Sequence, residues 1–125
     1  MTPDLPIITK TYDLIQWYVP VIHRLPRDHK FQLGDRIVTT LYDLLENLIA
    51  ARYQRDKLTQ LHTLNTKLDI LRYQTRLLQD FKLLPPKRYR HATNQINNIG
   101  TDLGGWIKHQ KEQAAASKPK LIKKH

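Results

Sequence analysis

The stretch LTQLHTLNTKLDILRYQTRLLQDFK, residues 58–82, decides the fold class. Its apolar side chains recur at alternating intervals of three and four residues, at Leu61, Leu64, Leu68, Leu71, Thr75 and Leu78. This is the spacing of one helix face packed in an antiparallel bundle or a coiled coil. The stretch therefore predicts a helix from about Leu58 to Lys82 with a continuous buried seam.

The same helix carries a second apolar stripe on its opposite side. At about 100° per residue, Ile70, Tyr73 and Leu77 fall in line there with Thr63 and Thr66. A monomeric bundle would leave this stripe in water, and an aligned Ile, Tyr and Leu more often marks a subunit interface. We expect Ile70, Tyr73 and Leu77 to form the contact between copies of the chain in a homo-oligomer.

Three further helices are predicted around this one. The apolar spacing places them from about Thr9 to His23, from Phe31 to Tyr53 and from His91 to His109. The second has a wide apolar arc that includes Tyr42 and Ile49, so it is expected to contact several neighbours. No segment shows the period-2 pattern of a strand. The predicted fold is all-α, an antiparallel four-helix bundle.

The remaining segments are assigned to connections and a tail. Leu25-Pro26 ends the first helix, and residues 83–90, LLPPKRYR, are expected to form a proline-marked loop. The bundle is assigned to residues 1–112. Residues 113–125 are rich in Ala and Lys without apolar periodicity, which indicates a basic, disordered tail.

Charge is distributed unevenly along the chain. Residues 1–51 hold 5 basic and 6 acidic side chains, a net of −1, whereas residues 52–125 hold 16 and 5, a net of +11. Such asymmetry favours a polyanionic partner, because Lys and Arg that neutralise phosphates release counterions. The alternative is that the excess serves solubility alone.

The basic side chains cluster where a nucleic acid or a polymerase would bind. One group lies at the junction of helices two and three, a pair lies one turn apart on helix three, a third group surrounds Tyr89 in the proline loop, and two lie on or just after helix four. An aromatic ring among cations can stack a base while they hold phosphates. The candidate residues are Arg52, Arg55, Lys57, Arg72, Arg76, Lys87, Arg88, Arg90, Lys108 and Lys111.

The sequence contains no pattern typical of an enzyme. Its six histidines form no HExxH or paired ligand set, the chain has no cysteine, and its four glycines form no phosphate-binding loop. Asp43 and Glu46 share a helix face, which we interpret as a solvated face or one that pairs with a basic neighbour. We expect no catalysis, metal or cofactor. With no signal-peptide or membrane-spanning pattern, we expect a cytoplasmic protein that does not enter a membrane.

Two longer motifs resemble a known family. The stretch LPRDHKFQLGDRI, residues 25–37, is similar to the entry of the second helix in the accessory variability determinant (Avd) family of diversity-generating retroelements, and IGTDLGGWIK, residues 99–108, is similar to its last helix. Tyr12-Asp13-Leu14 through Pro20 fits the first helix. The glycines also have a structural meaning, since Gly34 allows close approach, and Gly100, Gly104 and Gly105 indicate either close packing beside Trp106 or a frayed helix end.

The resemblance implies a four-helix bundle that assembles into a homopentameric barrel without catalytic activity. Its partners would be the retroelement's reverse transcriptase and template RNA, or an RNA–DNA hybrid, in support of mutagenic reverse transcription. Two alternatives stay open from the sequence. The first motif is shared with four-helix proteins encoded in intervening sequences of 23S ribosomal RNA genes, and the basic half would also suit a protein-interaction scaffold with an acidic partner.

Overall fold

Residues 5–117 are described by a computed structural model, and within them the chain is all-helical without a strand. Its four long helices are α1, Pro6–His23; α2, Asp35–Arg52; α3, Leu58–Asp80; and α4, Pro86–Ala116. A short helical turn, Arg27–His29, and a π-helical segment, Lys30–Gly34, lead directly into α2. None of these helices is long and apolar enough to cross a membrane.

The helices form an antiparallel bundle in which α1 and α3 each pack on α2 and α4. Paired contacts give the direction, since Lys10 lies 2.9 Å from Asp102 and the ring of Trp17 lies 4.6 Å from that of His91 further along α1. The predicted fold class and the predicted seam of α3 are therefore confirmed. All six residues of that seam are fully buried.

The first two helices begin earlier than the sequence predicted. Helix α1 starts at Pro6 rather than Thr9, because a proline is well tolerated in the first turn and Ile7 and Ile8 add to the buried face. Helical structure before α2 starts at Arg27 rather than Phe31. Gly34 was expected to let another backbone come close. The structure places a side chain there instead, since a Cβ at Gly34 would lie 3.0 Å from Ile22 Cγ2.

The last helix differs most from the prediction. The expected loop at residues 83–90 is wrong in its second half, because Pro86 occupies the first turn of α4 and the following residues are helical. At its other end α4 continues to Ala116 instead of ending at His109, through an alanine run of high helix propensity. Residues 118–125, which hold most of the predicted basic tail, lie outside the described part of the chain.

A polar pair crosses the core between α1 and α3. The Tyr18 hydroxyl lies 2.8 Å from Thr75 Oγ1, and both side chains are fully buried. Burial raises the pKa of the Tyr18 phenol far above its usual value, so it stays protonated. Thr75 thus fills a position of the apolar seam of α3 and also gives the buried Tyr18 hydroxyl a hydrogen-bond partner.

We expect Tyr18→Phe and Thr75→Val each to lower the free energy of unfolding by about 1–3 kcal/mol, because each leaves a buried hydroxyl without a partner. The double variant should lose less than the sum of the two. Urea unfolding of the four proteins measures this coupling. Strict additivity would show that the hydrogen bond does not contribute to stability.

Candidate nucleic-acid interface

A cleft between α3 and α4 brings together two of the predicted binding residues, Arg72 and Arg76. It has a volume of about 330 Å³. The α3 wall contributes Arg72, Tyr73 and Arg76, and the α4 wall contributes Tyr89, Thr93 and Asn97. Cations, two phenol rings and an amide therefore face one opening, because antiparallel packing sets the middle of α3 against the first half of α4.

Arg72 is fixed in the floor of this cleft. Its Nη1 donates to Asp69 Oδ1 at 2.8 Å, and its Nε donates to Asn97 Oδ1 at 3.3 Å. The guanidinium occupies the space where a side chain of Gly100 would be, since a Cβ built there would lie 2.5 Å from Arg72 Nη2. Gly100 thus provides the room in which Arg72 joins α3 to α4.

Arg76 is held far more loosely. Its side chain is 65% exposed, and its nearest acidic partner is Asp80, at 3.9 Å between Nε and Oδ2. That separation is longer than a hydrogen bond, and an exposed ion pair of this kind contributes little to stability. Of the two predicted arginines on α3, Arg76 is therefore the one whose guanidinium can bind a ligand without the loss of a strong internal contact.

Tyr89 does not lie among the cations that flank it in sequence. The helical turn directs it onto the core and into the α3–α4 cleft, whereas Lys87, Arg88 and Arg90 are exposed on other sides of α4. The prediction that these three cations surround Tyr89 in a loop is therefore wrong. Tyr89 shares its surface with Arg72 and Arg76 instead, and proximity in sequence was the misleading signal.

The other predicted cations lie at the opposite end of the bundle. Arg55 lines a cleft with Gln110 and Gln113 near the end of α4, and Lys108 and Lys111 are exposed on the same half of that helix. From residue 58 to residue 72, α3 rises about 21 Å. The ten candidates thus separate into two basic groups rather than one surface.

Two cations at the junction of α2 and α3 have local contacts. Lys57 Nζ donates to the backbone oxygens of Arg52 and Gln54, which stabilises the carboxyl end of α2. The guanidinium of Arg52 lies over the ring of Tyr53, 5.4 Å from its centre. Lys57 was predicted as a binding residue, and the structure gives it a capping role.

The exposed apolar stripe of α3 agrees with the sequence. Ile70, Tyr73 and Leu77 are 47%, 66% and 42% exposed, so this side of α3 lacks a partner within the described chain. Sequence reasoning missed that Tyr42 and Ile49 of α2 are also exposed, at 43% and 39%. The wide apolar arc of α2 is therefore only partly covered by its neighbours.

Asp43 and Glu46 of α2 were interpreted from sequence as a solvated face or one that pairs with a basic neighbour, and the structure agrees. Asp43 Oδ2 lies 3.5 Å from Lys67 Nζ on α3, while Glu46 is exposed. Within residues 5–117, no three His, Asp or Glu side chains are grouped as metal ligands would be. Asp43 therefore pairs with a basic residue of the neighbouring helix, and Glu46 lies on a solvated face.

Most of the basic candidates lie on the second pair of helices. The fold and the cleft define a class: a small, basic four-helix bundle with a cleft between its last two helices. The chain belongs to the bAvd-like family, whose model matches residues 5–110. That match runs from the residue before α1 into the last third of α4. A search of curated proteins finds no match.

The glycines of α4 provide a direct test of the Arg72 position. The predicted close packing is confirmed at Gly100 but wrong at Gly104 and Gly105. At these two positions a Cβ would have no neighbour within 4 Å in the described chain, apart from the adjacent residues and the nearby backbone of α4 itself. We expect Gly104→Ala to raise the free energy of unfolding by about 1 kcal/mol through helix propensity.

Gly100→Ala should gain less than Gly104→Ala, because the new Cβ must displace the Arg72 guanidinium. Chemical denaturation measures both variants, and the NMR signal of the Arg72 Nε–H reports the displacement. An unshifted Arg72 signal together with the full gain at residue 100 would contradict this contact.

Proposed function

We propose that this chain is a non-catalytic accessory protein of a diversity-generating retroelement. It binds the reverse transcriptase and the template RNA, or an RNA–DNA hybrid, and supports mutagenic reverse transcription in the cytoplasm. The observation that carries the proposal is the bAvd-like family match over residues 5–110. The net charge of +10, concentrated after residue 51, supports a polyanionic partner.

The two basic groups support a division of the binding surface. The group around Arg72 and Arg76 adjoins a cleft with aromatic walls, whereas the cleft that Arg55 lines has no aromatic side chain in its walls. One surface can therefore hold RNA while the other contacts phosphate or the polymerase. Both remain available when the core of the bundle is intact, because these side chains lie outside it.

A homopentameric barrel is the assembly we propose. The exposed stripe of α3 supplies one apolar contact, and the exposed Tyr42 and Ile49 on α2 supply a different one. Two unlike apolar patches on one subunit favour a head-to-tail arrangement, which closes into a ring when the rotation permits. Five copies would multiply the charge of +10 per chain into a strongly basic assembly.

We expect RNA binding to weaken steeply as salt rises. About six phosphate contacts give a slope of about −4 to −5 for the logarithm of the binding constant against the logarithm of salt concentration. Fluorescence anisotropy of a labelled RNA across a potassium chloride series measures the slope. Binding that does not change with salt would overturn the electrostatic account, and co-purification with the reverse transcriptase tests the second partner.

We expect the double substitution Ile70→Glu and Leu77→Glu to break the assembly, because it places two charges in the proposed apolar contact. The mass should fall from about five times 14.8 kDa to that of one chain, with the helical circular dichroism retained. Asn98→Glu, at an exposed position of α4, is the matched control and should keep the assembly. A wild-type protein that sediments as a monomer would refute the interface.

A further inference from the structure

We propose that the α3–α4 cleft binds one unpaired nucleotide of single-stranded RNA, with its base stacked on Tyr73 and its phosphate paired with Arg76. The inference rests on the proposed RNA-binding function. It adds the kind of RNA segment that is recognised and the residues that recognise it. The cleft volume of about 330 Å³ lies at the small end of ligand pockets, which suits one nucleotide and excludes a duplex.

The aromatic lining points to an unpaired base. Tyr73 is 66% exposed on a rigid helix, and Tyr89 forms part of the opposite wall, packed against the core. In A-form RNA the base faces are covered by their neighbours, so aromatic side chains stack on bases of loops and single strands. Tyr73 has no ring partner of its own among the ring contacts of the described residues, so its face remains available.

The polar side chains of the cleft offer hydrogen-bond donors and acceptors to the phosphate and to the edge of the base. Among the described residues, the acidic partner of Arg76 is the distant Asp80, and a phosphate would offer it shorter, charge-assisted hydrogen bonds. Asn97 uses its Oδ1 to accept from Arg72, which leaves its amide Nδ2 as a donor toward the cleft. The Thr93 hydroxyl donates to the backbone oxygens of Tyr89 and Arg90, so its own oxygen remains an acceptor.

The floor of the cleft is already in place before a ligand arrives. Arg72 is held by Asp69 and Asn97 and seated over Gly100, so it stays in position and Asp69 is neutralised. An ordered floor reduces the entropy that binding must remove. Arg72 is thus a positioning residue, and Tyr73 and Arg76 are the residues that contact the nucleotide.

The cleft also divides the outer stripe of α3. Tyr73 lies on the α4 side of that helix, with Arg76 and Tyr89, whereas Ile70 lines a separate cleft with Phe31 and Arg36 on the α2 side. The present proposal therefore assigns Tyr73 to the RNA site and limits the proposed subunit contact on α3 to Ile70 and Leu77. The RNA site and the subunit contact can occupy the same helix side by side.

The test compares an unstructured 12-nucleotide RNA with its duplex, each labelled and measured by fluorescence anisotropy at fixed salt with the full chain. We expect Tyr73→Ala to weaken binding of the single strand by about 5- to 150-fold, the range of one base stacked on an aromatic ring. Duplex binding should change by less than about twofold, because paired bases do not reach the ring.

Matched variants separate stacking from charge and from folding. Tyr73→Phe keeps the ring and should bind the single strand like the wild type, and Tyr12→Ala removes an exposed tyrosine on α1 and should have no effect. Arg76→Gln should weaken binding of the single strand and make its salt slope less steep by about one unit, whereas Arg76→Lys should restore the slope. Sedimentation of Tyr73→Ala should give the wild-type mass.

Three results would overturn the proposal: an equal loss on single strand and duplex, unchanged binding of the single strand, or dissociation of the Tyr73→Ala assembly. Loss of reverse transcriptase binding with RNA binding retained would assign the cleft to a protein and would also overturn it. In all of these the wild type still binds RNA or polymerase, so the proposed function survives. If the wild-type protein bound neither the single strand nor the duplex, the proposed RNA-binding function itself would be contradicted.

Discussion

Burial of the α3 seam sets the orientation of everything else in this bundle. Five leucines and Thr75 fill the centre between the helices. Because this face must point inward, the rotation of α3 about its axis is fixed, and so are the directions of its other faces. Tyr73 and Arg76 are carried to the side of α4, and Ile70 is carried to the side of α2. The hydrophobic effect therefore positions the polar cleft, although no residue of the cleft contributes to the core except part of Tyr89.

Those parts of the fold that depend on one periodic pattern were predictable from sequence. Helix α3 was expected to end at Lys82 and ends at Asp80, and its buried and exposed faces were both assigned correctly. Pro85 and Pro86 were misread, because a proline pair indicates a loop as readily as it indicates a helix start, and only tertiary context decides between them. Since Tyr89 was placed in that supposed loop, its true neighbours on α3 were missed.

The candidate site was predictable in its residue types and less so in its grouping. The charge count placed the cations in the second half, and Arg72 and Arg76 do lie together on one cleft. No sequence pattern shows that Lys57 caps α2 or that Gly100 makes room for Arg72, because both contacts depend on how helices end or cross. The same limit applies to Gly104 and Gly105, where the sequence suggested packing and α4 is open.

The π-helical segment Lys30–Gly34 can accommodate a change of one residue in chain length just before α2. A π-helical turn holds about one residue more than an α-helical turn, so it absorbs an inserted residue without rotating the helix that follows. Ile37 and Leu41 stay in the core and Gly34 stays against Ile22. A relative that is one residue shorter here can keep the same core by closing the turn as regular α-helix, so a single gap between Lys30 and Gly34 in an alignment is compatible with an unchanged bundle.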